Sequence, residues 1–393
     1  MGVVEMNERL EIAEYLAELI HSQFENRKPA MIPQDININE LLELSIANQI
    51  WGFTARALMR LENIQPQLYE HLKRGSSVMI YKSKLQEHEI KKIQEIFEEQ
   101  GIKNMPLKGI FMKKYYPLPE LREMGDIDLV VEENDLERAG KILKNMGYTL
   151  KQRISNHDVY IKKPYMVIEL HKNMYKQEID KKQHDYFESF VNAVLDDEKK
   201  YCYHQKTEDF YVYMIAHMAG HFYIRGCGVR NLIDIYVFRN KFKGQLDEEY
   251  IDRELKECGI YDFEKHMKKA AGIWLGNDKS DDFYDDLLTF MVMCGIYGKE
   301  EYGFWNEYSR TNSKNNKANM TLWYIFPPYH YMKKYYEYLK KAPYLLAFAW
   351  LHRILRGLVF KRGKQRRDYL NEVPKQEVEA IQRIYKKMKF DFE

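Results

Sequence analysis

Cysteine is scarce in this chain of 393 residues; the four are Cys202, Cys227, Cys258 and Cys294. They stand far apart and form no C-x-x-C pair. That argues against zinc ribbons and a disulfide scaffold, and it suits free thiols in a reducing cytosol. Long hydrophobic runs are also missing. The nearest approaches, 318–332 and 344–360, are broken by Pro327 and Pro328 and by His352, Arg353 and Arg356. No transmembrane span is expected from them. The first residues, MGVVEMNERLEI, lack the basic and apolar regions of a signal peptide, and position 6 lacks the Ser or Thr of a myristoylation site. No internal repeat and no low-complexity segment occurs. The expectation is a cytoplasmic protein.

What is present is ordinary globular usage, with 45% apolar and 31% charged residues. This excludes a disordered or collagen-like chain, and the length allows two or three domains. The 61 basic and 59 acidic side chains nearly cancel, but they are unevenly spread. Residues 1–100 carry 11 basic and 16 acidic side chains, whereas 331–393 carry 16 and 7. The run Arg353–Arg367 holds seven basic residues and no acid, directly after the apolar YLLAFAWLH. It reads as the solvated basic end of a core helix, as an interfacial amphipathic helix, or as an arm for RNA or another anionic surface. No RNA-binding fold signature accompanies it.

Hydrophobic periodicity divides the chain into three. Residues 1–100 read as an N-terminal helical region, with Ala13, Leu16, Ile20 and Phe24 on one stripe. Residues 101–200 change texture to short apolar runs separated by turns. DIDLVV, YTLKQR, HDVYIKK and YMVIELHK read as strands, with a short helix at 110–116 and another at 135–146, N-capped by Asn134 and ended by Gly147. Residues 201–393 return to helical patterning, including 208–222 and 230–241, apart from an Asn-rich loop at 299–320. Helices first and strands clustered later make an α+β fold.

The segment Gly125-Asp126-Ile127-Asp128-Leu129-Val130 is the most informative. Two carboxylates at i and i+2 on a strand share a face, and their repulsion in a partly buried site calls for a counter-charge. Mg²⁺ supplies one, but exposed strands also carry such pairs by chance. The apolar neighbours place this strand in the interior. Upstream, Lys108-Gly109 follows a strand and opens a helix, a place where backbone N–H groups can approach phosphate. Downstream, Glu169 sits inside the apolar run Ile168–Leu170, where an unpaired acid is costly. Three acids so arranged suit two-metal phosphoryl or nucleotidyl transfer.

Taken together, LKG, then R-x-x-G-D-I-D-L-V-V, then V-I-E-L-H resembles the DNA polymerase β-like nucleotidyltransferase superfamily. The narrower likeness is to the bacterial group of uncharacterised nucleotidyltransferase family proteins. It covers roughly residues 100–240, through His217, His221 and Gly228–Asp234. The resemblance implies a polymerase β-like core, a small mixed twisted sheet with helices, flanked by helical regions. It implies metal ligands at Asp126, Asp128 and Glu169, with Glu169 also activating the acceptor, and Mg²⁺ or Mn²⁺ as cofactor. A nucleoside triphosphate is the implied co-substrate, contacted by Lys108, Gly109 and Arg122. The acceptor is a hydroxyl on a small molecule, a protein or an RNA end. The chain departs from the superfamily in having Ile110 after Gly109, where Ser or Gly is common, and in the 16 residues between Gly109 and Asp126. The alternative is an inactive nucleotide-binding or interaction module of the same fold, with a toxin–antitoxin-type partner.

Weaker candidates remain. His217 and His221 have helical i, i+4 spacing, but HMAGH lacks the Glu of H-E-x-x-H, so a core or pocket-lining role is expected over metal. His171 shares a strand face with Glu169 and is a candidate for either substrate contact or a structural hydrogen bond. Arg230 and Asp234, four apart on a helix, are expected to pair or to face the cleft. Arg122 is equally consistent with a solvated loop charge.

Overall fold

The computed structural model describes residues 2–154, 156–177, 179–298, 322–323, 325–333, 335–336, 338–359, 375–390 and 392. The expected loop at 299–320 and the basic residues 361–367 lie outside these.

Four helices come first: α1 (Gly2–Phe24), α2 (Ile38–Ala47), α3 (Trp51–Leu58) and α4 (Pro66–Glu99). Their starts follow from local chemistry. The Asn37 side chain accepts from the backbone of Asn39 and Glu40 to open α2, and Pro66 occupies the first turn of α4, where no N–H is needed. Gly101, at φ +67°, ends α4 in the left-handed region.

The sheet region then runs β1 (Asn104–Pro106), α5 (Gly109–Met112), β2 (Ile127–Val131), α6 (Leu136–Asn145), β3 (Thr149–Arg153), β4 (His157–Lys162) and β5 (Met166–His171). The expected cap at Asn134 is not formed. A 3₁₀ turn over Glu133–Asp135 precedes α6 and leaves Asp135 at the cap position, without a side-chain capping bond to the backbone. The spatial order is β1-β2-β5-β4-β3, with β2 and β5 parallel and every other pair antiparallel. The chain is therefore α+β with a mixed sheet.

Strand alternation divides the sheet into two faces. Ile127, Leu129, Ile168 and Leu170 pack against Ile90, Ile93 and Phe97 of α4 and Ala139 and Leu143 of α6. Asp128, Glu169 and His171 occupy the opposite face.

That second face looks toward helices. After α7 (Lys181–Tyr186) and the hairpin of β6 (Ala193–Leu195) with β7 (Tyr203–Gln205) come α8 (Thr207–Arg225), α9 (Arg230–Lys241), α10 (Glu248–Glu257), α11 (Tyr261–Leu275) and α12 (Asp282–Cys294). Among the described residues, four further helices follow: α13 (Tyr329–Met332), α14 (Tyr338–Lys341), α15 (Leu346–Val359) and α16 (Lys375–Met388). Residues of α1 to α3 share one core with α8 to α12 and α16, so the N-terminal helices and the late helices pack as one body around the sheet.

Asn48 shows how that body is tied. Its side chain is fully buried, donates to the Leu44 carbonyl at 3.0 Å and the Val292 carbonyl at 2.8 Å, and accepts from the Val229 N–H at 3.0 Å. Gly228 fits beside it because a Cβ there would lie 2.7 Å from the backbone of Gly295 and Ile296. One side chain thus joins segments from three distant parts of the sequence. Asn48→Ala strips buried backbone groups of their partners, and a loss of about 2–4 kcal/mol is expected in urea unfolding. A loss within error would show that water replaces these bonds.

Candidate active site

The site grows out of the β2–β5 pair. Their parallel register sets Asp128 directly opposite Glu169. The antiparallel β4–β5 register sets His157 opposite His171. All four side chains therefore emerge on one face, with Asp126 one residue before β2 begins.

Polar contacts knit this face together. Lys108 Nζ lies 3.0 Å from Asp128 Oδ2. His171 Nε2 lies 3.0 Å from Asp128 Oδ1 and 3.4 Å from Glu169 Oε2, so its proton is shared between two carboxylates. Asn156 Nδ2 approaches the other ring nitrogen at 3.4 Å. His157 Nε2 is 3.3 Å from Glu169 Oε2, and the two imidazoles lie with centroids 4.6 Å apart. From above, α8 contributes Tyr213, whose ring lies 5.8 Å beneath the Lys108 ammonium.

The electrostatics separate the three acids. Burial opposes ionisation of Asp128, but Lys108 and His171 overcome it and hold the carboxyl well below its ordinary range. Burial also opposes ionisation of Glu169; the His171 hydrogen bond and His157 outweigh it and lower the carboxyl. Asp126 is helped by the charges of Lys108 and Arg230, but too weakly to offset its burial and its acidic neighbours. It makes no hydrogen bond or ion pair among the described residues. Burial, followed by the charges of Asp128 and Glu169, pushes its carboxyl up to about 6. An unpaired, half-buried acid beside two ionised ones is a deficit of positive charge. Asp126 and Asp128 therefore fit a divalent cation by the chemistry of their donors.

The three acids do not converge on one point, however. Among the described residues, the only set of three or more His, Cys, Asp or Glu with ligand atoms mutually within 4.8 Å is His157, Glu169 and His171. Glu169 thus has imidazole neighbours as well as carboxylate ones. Sequence reading had not singled out His157. The hairpin could have revealed it: a turn at 163–165 that pairs Lys162 with Met166 must also pair 157 with 171.

Lys108 has φ +40°, and Gly109 begins α5. The glycine serves packing: a Cβ there would lie 2.9 Å from both Arg122 Nη1 and Met124 Sδ. Arg122, expected to contact phosphate or solvent, is instead buried beneath this turn. It donates through Nε and Nη2, each at 2.8 Å, to the two oxygens of Asp234. The Tyr116 hydroxyl adds a bond of 2.6 Å to the same carboxylate. With two nitrogens committed to a buried acid, Arg122 holds the turn in place rather than reaching into the cleft.

The expected Arg230–Asp234 pair is absent for the same reason, since Asp234 is taken. Arg230 bonds the Gln49 side chain and, at 2.8 Å, the Glu123 carbonyl, which braces the loop before Asp126. Gln49 and Tyr297, bonded to each other at 3.0 Å, complete that brace. His217 and His221 stand 3.2 Å apart where the apolar stripe of α8 reaches the cleft. Burial and Lys108 hold both below the ordinary imidazole value, His221 at about 4. No third ligand gathers with them among the described residues. They line the cleft.

Residues 34–276, more than half of the chain, match the family model described as uncharacterised nucleotidyltransferase. The chain belongs to that family. No curated protein and no solved structure matches it. The span that makes it a nucleotidyltransferase-family protein holds the cleft residues from Lys108 to His221 and the bracing Gln49, Arg230 and Asp234, whereas Tyr297 lies beyond it. It ends with α11, so α12 to α16 lie beyond it.

The buried Arg122–Asp234 pair in this nucleotidyltransferase-family chain generates a stability test. Asp234→Ala strands a buried guanidinium and the Tyr116 hydroxyl, with an expected loss of about 3–5 kcal/mol in urea unfolding. The double variant Arg122→Met/Asp234→Leu removes both charges and is expected to recover more than half of that loss. Additive losses would show that the two residues do not act as a pair.

Proposed function

We propose that this chain transfers a nucleoside monophosphate from a nucleoside triphosphate to a hydroxyl acceptor, in a reaction that depends on divalent metal. The observation that carries this reading is the shared sheet face. On it, Asp128 and Glu169 stand opposite each other on parallel strands, with the unpaired Asp126 beside them. Mg²⁺ or Mn²⁺ bound there supplies charge neutralisation for the triphosphate and acidifies the acceptor hydroxyl.

The chain's own residues account for the rest. Asp126 and Asp128 are the ligands, and Glu169 is the ligand or base on the acceptor side. The acceptor oxygen forms its bond to the α-phosphorus as the bond to the bridging oxygen breaks. Pyrophosphate leaves, and the hydroxyl proton passes to Glu169. Lys108 is half of an ion pair with Asp128 and carries the cation nearest to the metal ligands. With a metal held by Asp128, the Lys108 ammonium would be available to phosphate oxygens. His171 bridges Asp128 and Glu169 and keeps their separation fixed.

A label-transfer screen tests this. Each α-labelled nucleoside triphosphate is offered with Mg²⁺ or Mn²⁺ to the protein alone, to pooled small molecules and to total RNA. The expected result is transfer by the wild type with Mg²⁺ or Mn²⁺. Chelator is expected to abolish it, and Asp126→Asn/Asp128→Asn to lower it by about 10³-fold or more. A wild type that neither transfers label nor binds nucleotide would overturn the reading and leave an interaction module.

A further inference from the structure

The segment from α13 to α15 builds a small core of its own from Met332, Leu339 and Ala349, separate from the other two. What it leaves outside is a continuous apolar stripe. Phe348, Leu351 and Leu355 are 60%, 54% and 53% exposed. Steps of three and four residues put them on one side of α15. Tyr344, 83% exposed, stands just before the helix. A single exposed leucine needs no explanation, but a stripe of three large apolar side chains continued by an aromatic one does.

The charged residues of α14 and α15 are all basic. His352 and Arg356 are exposed on α15, and Lys340 and Lys341 are exposed in α14. Between residues 338 and 367 the sequence contains no Asp or Glu and nine Lys or Arg, five of them in 361–367, outside the described residues. An apolar stripe with cationic flanks and an aromatic residue at its edge is the pattern of a helix that lies in a lipid interface. With 14 residues, α15 is about 21 Å long, too short to cross a hydrocarbon core of about 30 Å. No helix of the described residues is long and apolar enough to do so.

RNA would engage the cations but leave Phe348, Leu351 and Leu355 in water. An anionic lipid surface takes up both features. We propose that α15 docks this chain on an anionic membrane surface, with Phe348, Leu351 and Leu355 at the acyl boundary and Lys340, Lys341 and Arg356 among the phosphates. This surface lies beyond the matched family span, and the inference does not depend on nucleotidyl transfer.

Co-sedimentation of the full chain with phosphatidylglycerol–phosphatidylcholine vesicles tests it, with pure phosphatidylcholine as the control. Binding to the anionic vesicles is expected, weakened by salt. Phe348→Ser/Leu351→Ser/Leu355→Ser is expected to lower it about tenfold or more. Lys340→Gln/Lys341→Gln/Arg356→Gln is expected to lower it about a hundredfold. Both variants alter exposed side chains, and unchanged urea unfolding would show that each still folds. Failure of the wild type to bind anionic vesicles would overturn the proposal. So would undiminished binding by the serine variant. Binding of RNA that displaces vesicles and is untouched by the serine changes would assign the surface to a polyanion instead. A wild-type dimer that the serine variant disperses, without vesicle binding, would assign the stripe to a second copy of the chain.

Discussion

Parallel pairing of β2 with β5 sets Asp128 beside Glu169 on a sheet face that is largely covered by helices, and their repulsion shapes what surrounds them. Two adjacent carboxylates out of bulk water tolerate each other only with positive charge nearby. Lys108 and His171 provide it for Asp128, and His171 does so for Glu169 as well. Asp126 feels Lys108 and Arg230 without pairing with either, and burial with its acidic neighbours pushes its carboxyl up to about 6. The one charge deficit on this face therefore falls at the residue that opens β2.

Holding that arrangement requires support from both sides. Below, the apolar residues of β2 and β5 pack on α4 and α6. Above, the turn at Lys108-Gly109 rests on Arg122, which is fixed by Asp234 of α9. The loop before Asp126 is held by Arg230, again from α9. One helix of the late half of the chain thus positions both the lysine and the first acid. The N-terminal helices α1 to α3 and the late helices share a core, with Asn48 joining α2, the start of α9 and α12. That shared core makes α9 a rigid support.

The strands, and the shared face of Asp128 and Glu169, were legible in the sequence because they rest on local pattern. DIDLVV and VIELH are short apolar runs with acids at alternating positions, and strand periodicity alone puts those acids on one face. The α9 helix was readable at 230–241 from its flanking glycines. What escaped was partner choice. Asp234 has Arg230 one turn away on its own helix, yet it pairs with Arg122, 112 residues distant. Both arginines lie within reach of the same loop, and tertiary packing decides between them. Asn134 failed as a cap because a 3₁₀ turn shifted the helix start, a difference too fine for composition to show. His157 was recoverable from hairpin register, but a histidine at the edge of a strand gives no signal until its partner across the turn is identified.

The central claim, that Asp126 and Asp128 take a divalent cation now partly replaced by Lys108, is tested most directly by anomalous diffraction from crystals grown with Mn²⁺ and a non-hydrolysable nucleoside triphosphate. The expected result is a manganese peak within about 2.3 Å of oxygens from both Asp126 and Asp128, with the Lys108 ammonium moved from Asp128 to phosphate. A map with nucleotide bound, no metal at these two residues, and the Lys108–Asp128 ion pair intact would contradict it.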